Sequence, residues 1–441
     1  MGGGMSKDRN KNWDLEAIID HESSINVMAV SEDKSVLVTG SEDCTARMWS
    51  TQGEETECMG ILRGHKNYIT TIGTVGVYVI TGSADTTIRK WEMATCACVF
   101  VYQGHTSRVT RVLCTADFLI SSSYDKTCKL WLFETEDDDD EESVCIRTFE
   151  GHTAGVYPIC FIPGDDEQGD AAKTEAGAEE SENQEQQREE EDQDLEAGIS
   201  PRDVLVTGSA DGTARSWSVA TGRQIKIFKG HRGPVSCMAI DSDGKLLYTS
   251  GPDKTVREWD IEKGVCTKLL SGHKDAVVCM QVVNKLMYTG SADTTARCFI
   301  TEFGDCTRTY KSHRDTVICL RFHNGILFTG CADMVARAFD AKSGNLKRVY
   351  MGHEAAINCL TVVGKKLYTG GSDGTLRVWD ADVPLDESSE MELQLEEKGA
   401  TEVADSGAGA GSAAAPPQAD SPEPQSDVLT AVQTTVQPAA A

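Results

Sequence analysis

A unit of about forty residues recurs eight times in this chain, and repeats of that length bury their apolar side chains only by stacking against their own copies. Each unit has a His, later an Asp, and six residues further an aromatic side chain. The Asp and aromatic pairs are Asp43/Trp49, Asp85/Trp91, Asp125/Trp131, Asp211/Trp217, Asp253/Trp259, Asp293/Phe299, Asp333/Phe339 and Asp373/Trp379. Ahead of them stand His21, His65, His105, His152, His231, His273, His313 and His353. Four residues before every Asp is a hydroxyl (Thr39, Thr81, Ser121, Thr207, Thr249, Thr289, Thr329, Thr369), and two before every aromatic is a base, from Arg47 and Arg89 to Arg377. The period predicts an all-β fold: a single eight-bladed β-propeller.

Segments such as TGSADTTIRKW (81–91) and TGGSDGTLRVWD (369–380) resemble the WD-repeat family. The resemblance covers residues 12–380 apart from two acidic insertions, at 134–143 and 164–201. It implies that the indole N–H, the hydroxyl, the His and the Asp form one buried hydrogen-bond chain in each blade. Such a chain is favourable only when every member is satisfied. The residues expected to carry it are His65, Asp85 and Trp91; His105, Asp125 and Trp131; His152, Asp211 and Trp217; His231, Asp253 and Trp259; and His353, Asp373 and Trp379. Phe299 and Phe339 lack the indole donor, which marks their blades as looser.

Local composition divides each unit into four strands, a to d. In the second unit NYITTIGTV (67–75), VYVITGS (77–83), TIRKWEM (87–93) and CVFVYQG (98–104) are rich in β-branched and aromatic residues and are separated by turn residues. The last unit lacks strand d. NWDLEAIID (12–20) is expected to supply it, burying Leu15, Ile18 and Ile19 and leaving the ring without an open edge.

Charge is concentrated outside the repeats. The whole chain carries −28. Residues 134–143, 164–201 and 381–441 hold a net eight, thirteen and eleven negative charges, so the remainder carries a net charge of +4. The insertion at 164–201 and the tail 381–441 have too few apolar residues to offset the entropy of ordering and are expected to be disordered. The resemblance implies that both insertions and the tail leave from one face, opposite the face built by the d–a and b–c connections.

A His beside an Asp and a hydroxyl is also the constellation of a hydrolase. A catalytic triad occurs once, however, and this set occurs eight times, so the expectation is structure and no enzyme. No metal or other cofactor is expected, since no CxxC pair exists among the sixteen cysteines. Cys237, Cys279, Cys319 and Cys359 stand six residues after their His and read as apolar fillers. The ninth histidine, His323, reads as an exposed turn residue. Nucleic acid is not expected as a partner, because no basic stripe exceeds the mild surplus of the body.

Binding remains, and the resemblance implies a rigid platform for protein partners; a substrate-recognition subunit of a ubiquitin ligase is the alternative. Against that alternative, no F-box-like helical region precedes the ring, and neither Trp259-Asp260 nor Trp379-Asp380 is followed by x-Arg. Arg232, Lys254, Lys274 and Arg314 fall in three adjacent blades and form a candidate basic patch for an acidic or phosphorylated peptide, against the plainer reading of solvated turn charge. The start M-G-G-G-M-S-K fits N-myristoylation of Gly2, followed by Lys7, Arg9 and Lys11, and would give weak membrane association. With no signal peptide and no run of eighteen apolar residues read in the sequence, the chain is expected in the cytoplasm, with the nucleus as an alternative.

Overall fold

The computed structural model describes residues 13–133, 144–164 and 198–386. These residues form eight four-stranded antiparallel sheets arranged as blades. Blades one to seven run continuously in sequence over 25–63, 69–102, 109–149, 156–229, 237–270, 277–310 and 317–351; blade eight combines 357–380 with Asp14–Ile19. The strands of the second blade fall within two residues of those read from composition.

Burial explains why the strands differ in sequence. The b strands are covered on both faces and read as unbroken buried runs, as in Val36–Ser41. Outer d strands alternate, as in Cys306–Tyr310. The core lies between blades: Trp91 of blade two packs in one cluster with Val38, Ala46, Met48 and Leu62 of blade one. Each blade therefore covers its neighbour, and an open ring would expose apolar surface on two of them.

Closure is made by the N-terminal strand. Asp14–Ile19 pairs antiparallel with the c strand Thr375–Asp380, with Asp14 opposite Trp379 and Ile19 opposite Thr375. Its register shifts next to the aromatic, as at the c–d pairs of the other blades, such as Lys90/Trp91. Leu15 and Ile19, however, are 52% and 74% exposed, contrary to the sequence reading. The strand is held instead by Ile18, by Arg377 Nη1 donating to Asp14 Oδ2 at 2.7 Å, and by Trp13, whose ring lies 3.6 Å from the Arg348 guanidinium.

The folded body also extends past two boundaries drawn from sequence. It resumes at Gly198, and Ile199 is buried in a cluster with Phe118, Val156 and Trp217. After blade eight, Val383 is buried and Leu385 packs on the same cluster as Trp379. Composition misassigned both stretches because one or two apolar residues decide them.

Candidate functional site

The repeated polar residues meet at the b–c turn of each blade. In blade two the Trp91 indole donates to Thr81 Oγ1 at 2.8 Å. The Thr81 hydroxyl lies 2.7 Å from His65 Nε2, and His65 Nδ1 lies 2.8 Å from Asp85 Oδ2. With Nδ1 donating to the carboxylate, Nε2 must accept from the hydroxyl, so all protons run one way along the chain. The other Asp85 oxygen accepts from the amide and hydroxyl of Thr87, and the residue between them, Thr86, has φ 75°. That turn is fixed by the Asp side chain mimicking a backbone carbonyl.

The same relay recurs in the other blades named from sequence. His to Asp distances are 2.7 Å for His105/Asp125, 2.8 Å for His152/Asp211 and His231/Asp253, and 2.9 Å for His353/Asp373. Trp131, Trp217, Trp259 and Trp379 donate to their hydroxyls at 2.8, 2.9, 2.7 and 2.8 Å. Burial pushes the Asp211 carboxyl up, but hydrogen bonds from Thr213 and His152 outweigh it and hold the group at about 2. Burial lowers the His152 pKa against the pull of Asp211. The Thr and Ser hydroxyls of the relay are 0% exposed, so a substrate has no route to the would-be nucleophile.

The two Phe blades differ from one another. In blade six His273 keeps Thr289 and Asp293, each at 2.8 Å, despite Phe299. In blade seven His313 keeps Thr329 at 2.8 Å, but its Nδ1 is buried without a hydrogen-bond partner. Asp333 is taken by Arg337, whose Nη1 and Nη2 reach its two oxygens at 3.0 and 2.7 Å. Loss of the indole is therefore not what breaks the relay.

Two neighbouring residues account for the change. Before the His, five blades have Gly64, Gly151, Gly230, Gly272 and Gly352, where an added Cβ would stand 2.6–2.8 Å from the Nη1 of Arg89, Arg215, Arg257, Arg297 and Arg377. Blade seven has Ser312 there, at φ 140°, so its arginine cannot occupy the usual place. Val335 stands where seven blades have a Thr bonded to the Asp, which leaves a carboxylate oxygen for Arg337. Burial, with the Arg337 charge, drives His313 down to about 4.

The d–a and b–c connections form one face of the ring. Arg232, Lys254, Lys274 and Arg314 are all exposed on it, and Lys254 Nζ donates to the Lys274 carbonyl at 2.8 Å. Exposed Asp275 and Asp315 are interleaved with them, so the surface is mixed in charge. On the same face lies a cluster that the sequence reading missed. Arg108 lies 4.6 Å from the Tyr124 ring centroid and donates to Tyr68 Oη at 3.2 Å, while Tyr124 and Tyr157 meet edge to face at 5.9 Å. Tyr124 is 46% exposed. It fits because Gly155 has no Cβ, which would stand 2.8 Å from the ring. The one available signal was a Tyr before Asp125, where other blades have Glu, Ala, Pro or Ser.

Cys237, Cys279, Cys319 and Cys359 are buried, and burial pushes the Cys237 thiol up to about 12. A Cβ on Gly290, Gly330 or Gly370 would stand 2.5–2.7 Å from Cys279, Cys319 or Cys359 Sγ, so the pairing of Cys and Gly is steric. Cys96 sits in a c–d turn at φ 60° rather than within a strand. His323 ends the a strand Val317–His323 and is half-buried, and burial lowers its pKa; it is not an exposed turn residue. Gly2 lies outside the described residues.

The fold and relay define a closed, repeat-built β-propeller whose polar signature residues serve the blades themselves. The chain belongs to the WD40 family: the model described as "WD domain, G-beta repeat" matches residues 14–50, 56–92, 96–131, 222–260, 264–299, 304–340 and 344–380, more than half of the chain. The first three strands of the fourth unit, split by its insertion, fall in the unmatched interval. Human WD repeat-containing protein 86 is 43% identical over 70 residues, which is 16% of each chain. Mitochondrial division protein 1 of Candida glabrata is 26% identical over 100 residues, covering 21% of this chain and 14% of that one. Most of each relative thus lies outside the match. The fold is shared with Saccharomyces cerevisiae Sqt1 (TM-score 0.68, 15% identity, 85% of this chain and 100% of that one) and with the computationally designed Ika8 (0.66, 22%, 84% and 100%).

Proposed function

We propose that this propeller is a non-catalytic scaffold that binds a protein partner on the face built by its d–a and b–c connections. The observation that carries this reading is the cluster of Arg108 with Tyr68, Tyr124 and Tyr157, drawn from three adjacent blades. Tyr and Arg dominate binding energy at interfaces because they offer large, rigid surface with hydrogen-bonding ends. The exposed bases Arg232, Lys254, Lys274 and Arg314 widen the same face and favour a partner with an acidic segment. The consumption of His, Asp and hydroxyl by the blades supports the non-catalytic part, and the small net charge of the body supports a protein rather than a nucleic acid as partner.

The test is affinity purification of the full chain, read by mass spectrometry, against Tyr124→Ala and Arg232→Glu/Arg314→Glu variants. A protein retained by the native chain, lost from the face variants and kept when 165–196 is deleted supports the reading. Identical recoveries from all four overturn it. A cytoplasmic location with weak membrane attachment through Gly2 is part of the same proposal, supported only by the motif and its trailing bases. Intact mass of protein from eukaryotic cells decides the lipid: an unmodified or acetylated terminus removes it.

A further inference from the structure

Blade seven carries a surface pocket of about 230 Å³ beside its rearranged relay. Its apolar wall is Val335, Leu346, Val349 and Met351, and its polar end is the Asp333–Arg337 pair. The pocket opens where the displaced arginine would otherwise lie, between Ser312 and the outer strand Leu346–Met351. Met351 and Leu346 are 68% and 40% exposed, so apolar surface is left open to water here. A volume of this size holds one large aliphatic side chain, and an outer strand with a free edge accepts an extended segment alongside it.

Side chains of that strand and of the turn before it already hold the segment after blade eight. Arg348 Nη1 donates to the Asp380 carbonyl at 2.9 Å and its Nη2 to the Asp382 carbonyl, and Tyr350 Oη donates to Asp380 at 3.1 Å. At the beginning of the strand, Lys347, Ser343 and Asn345 hold the Asp386 carboxylate at 2.5, 2.6 and 3.0 Å. Asp386 is thus held by Lys347, the chain neighbour of the pocket residue Leu346, and 55 residues follow it. The next stretch reads E-S-S-E-M-E-L-Q-L-E-E, with Met391, Leu393 and Leu395 alternating with polar residues. Met391 to Leu395 lie within roughly 17–32 Å of Asp386 in extended chain, enough to pass Leu346 and reach Met351. The acids around them complement the exposed Lys311 and Arg314 at the far end.

We propose that residues 387–397 continue along the outer strand of blade seven and seat an aliphatic side chain from Met391–Leu395 in this pocket. The contact is intramolecular and meets the partner-binding face only at Arg314. It would cover the one blade whose relay is broken and would tie the acidic tail to the rim of the ring.

Hydrogen exchange of the full chain, read by mass spectrometry, tests this by comparing 388–398 with 403–425 in the same molecule. Docking slows exchange of the first stretch by about tenfold or more relative to the second. The protection is lost in Met351→Asp, at an exposed position where a polar side chain does not disturb the ring, and is weakened in Leu393→Asp. A photoreactive benzoylphenylalanine replacing Leu393 cross-links to the peptide containing Leu346–Met351. Equal exchange in the two stretches overturns the proposal, as does protection that survives Met351→Asp. Protection that rises with protein concentration also overturns it, since the occupant is then a second copy.

Discussion

Arg337 holds both carboxylate oxygens of Asp333, at 3.0 and 2.7 Å, in a position where the other blades give their Asp to a histidine. The exchange leaves His313 buried and neutral, with one nitrogen unsatisfied, and an unmade hydrogen bond of this kind costs about 1–3 kcal/mol. A bidentate, largely buried pair offsets part of that. Ser312 and Val335 drive the exchange together, one by excluding the guanidinium from its usual place and one by freeing a carboxylate oxygen.

Restoring both positions should restore the relay. In Ser312→Gly/Val335→Thr, Arg337 returns beneath the glycine and Asp333 to His313, so the His313 pKa rises from about 4. NMR titration of the His313 ring reads this directly. An unchanged titration would show that these two residues do not set the arrangement.

Breaking an intact relay should cost more than altering its aromatic end. Asp211→Ala leaves His152 and Thr213 without their acceptor and should destabilise by about 1–3 kcal/mol in chemical denaturation. Phe299→Trp gives Thr289 an indole donor and should be neutral or stabilising by up to about 1.5 kcal/mol. Negligible loss for Asp→Ala in every blade would reopen a catalytic role for the set.

Acid should weaken the ring in two windows. His313 has a native pKa of about 4, below its ordinary 6.5, so the unfolded chain takes up the proton first and stability falls as pH drops from 6.5 towards 4. Asp211 sits at about 2 against an ordinary 3.8, so its contribution is present above 3.8 and fades as pH falls towards 2. Melting curves across pH 7 to 2 should show both declines, and Ser312→Gly/Val335→Thr should flatten the first.

Removing the closing strand should open the ring. A chain starting at His21 lacks the pairing to Thr375–Asp380, the Arg377–Asp14 contact and Trp13 beneath Arg348, and leaves a bare strand edge. We expect a lower melting temperature and aggregation by light scattering. Melting like the full chain would show that blade eight is stable with three strands.

The acidic insertion should be dispensable within narrower limits than its composition suggests. Deleting 165–196 should raise the isoelectric point and leave the melting temperature unchanged, because long surface loops contribute little to stability. Extending the deletion through Ile199 should destabilise, since that side chain is 3% exposed in the core between blades three and four.

The number of blades, the strands of each and the identity of the closing strand follow from the sequence alone, because spacing and alternation are local signals repeated eight times and errors in one copy are corrected by the others. The relay residues were legible for the same reason. What the sequence left open depends on contacts between blades. Arg108 meets Tyr68, Tyr124 and Tyr157 only because the ring sets three connections side by side and Gly155 leaves room. Ser312, Val335 and Phe339 are visible as departures from the repeat, yet only packing shows that the arginine, excluded from its place, takes the carboxylate and opens a pocket. Ile199 and Val383 belong to the folded body for a like reason: single apolar side chains in acidic stretches carry no pattern, and only the cavity that receives them decides that they are buried.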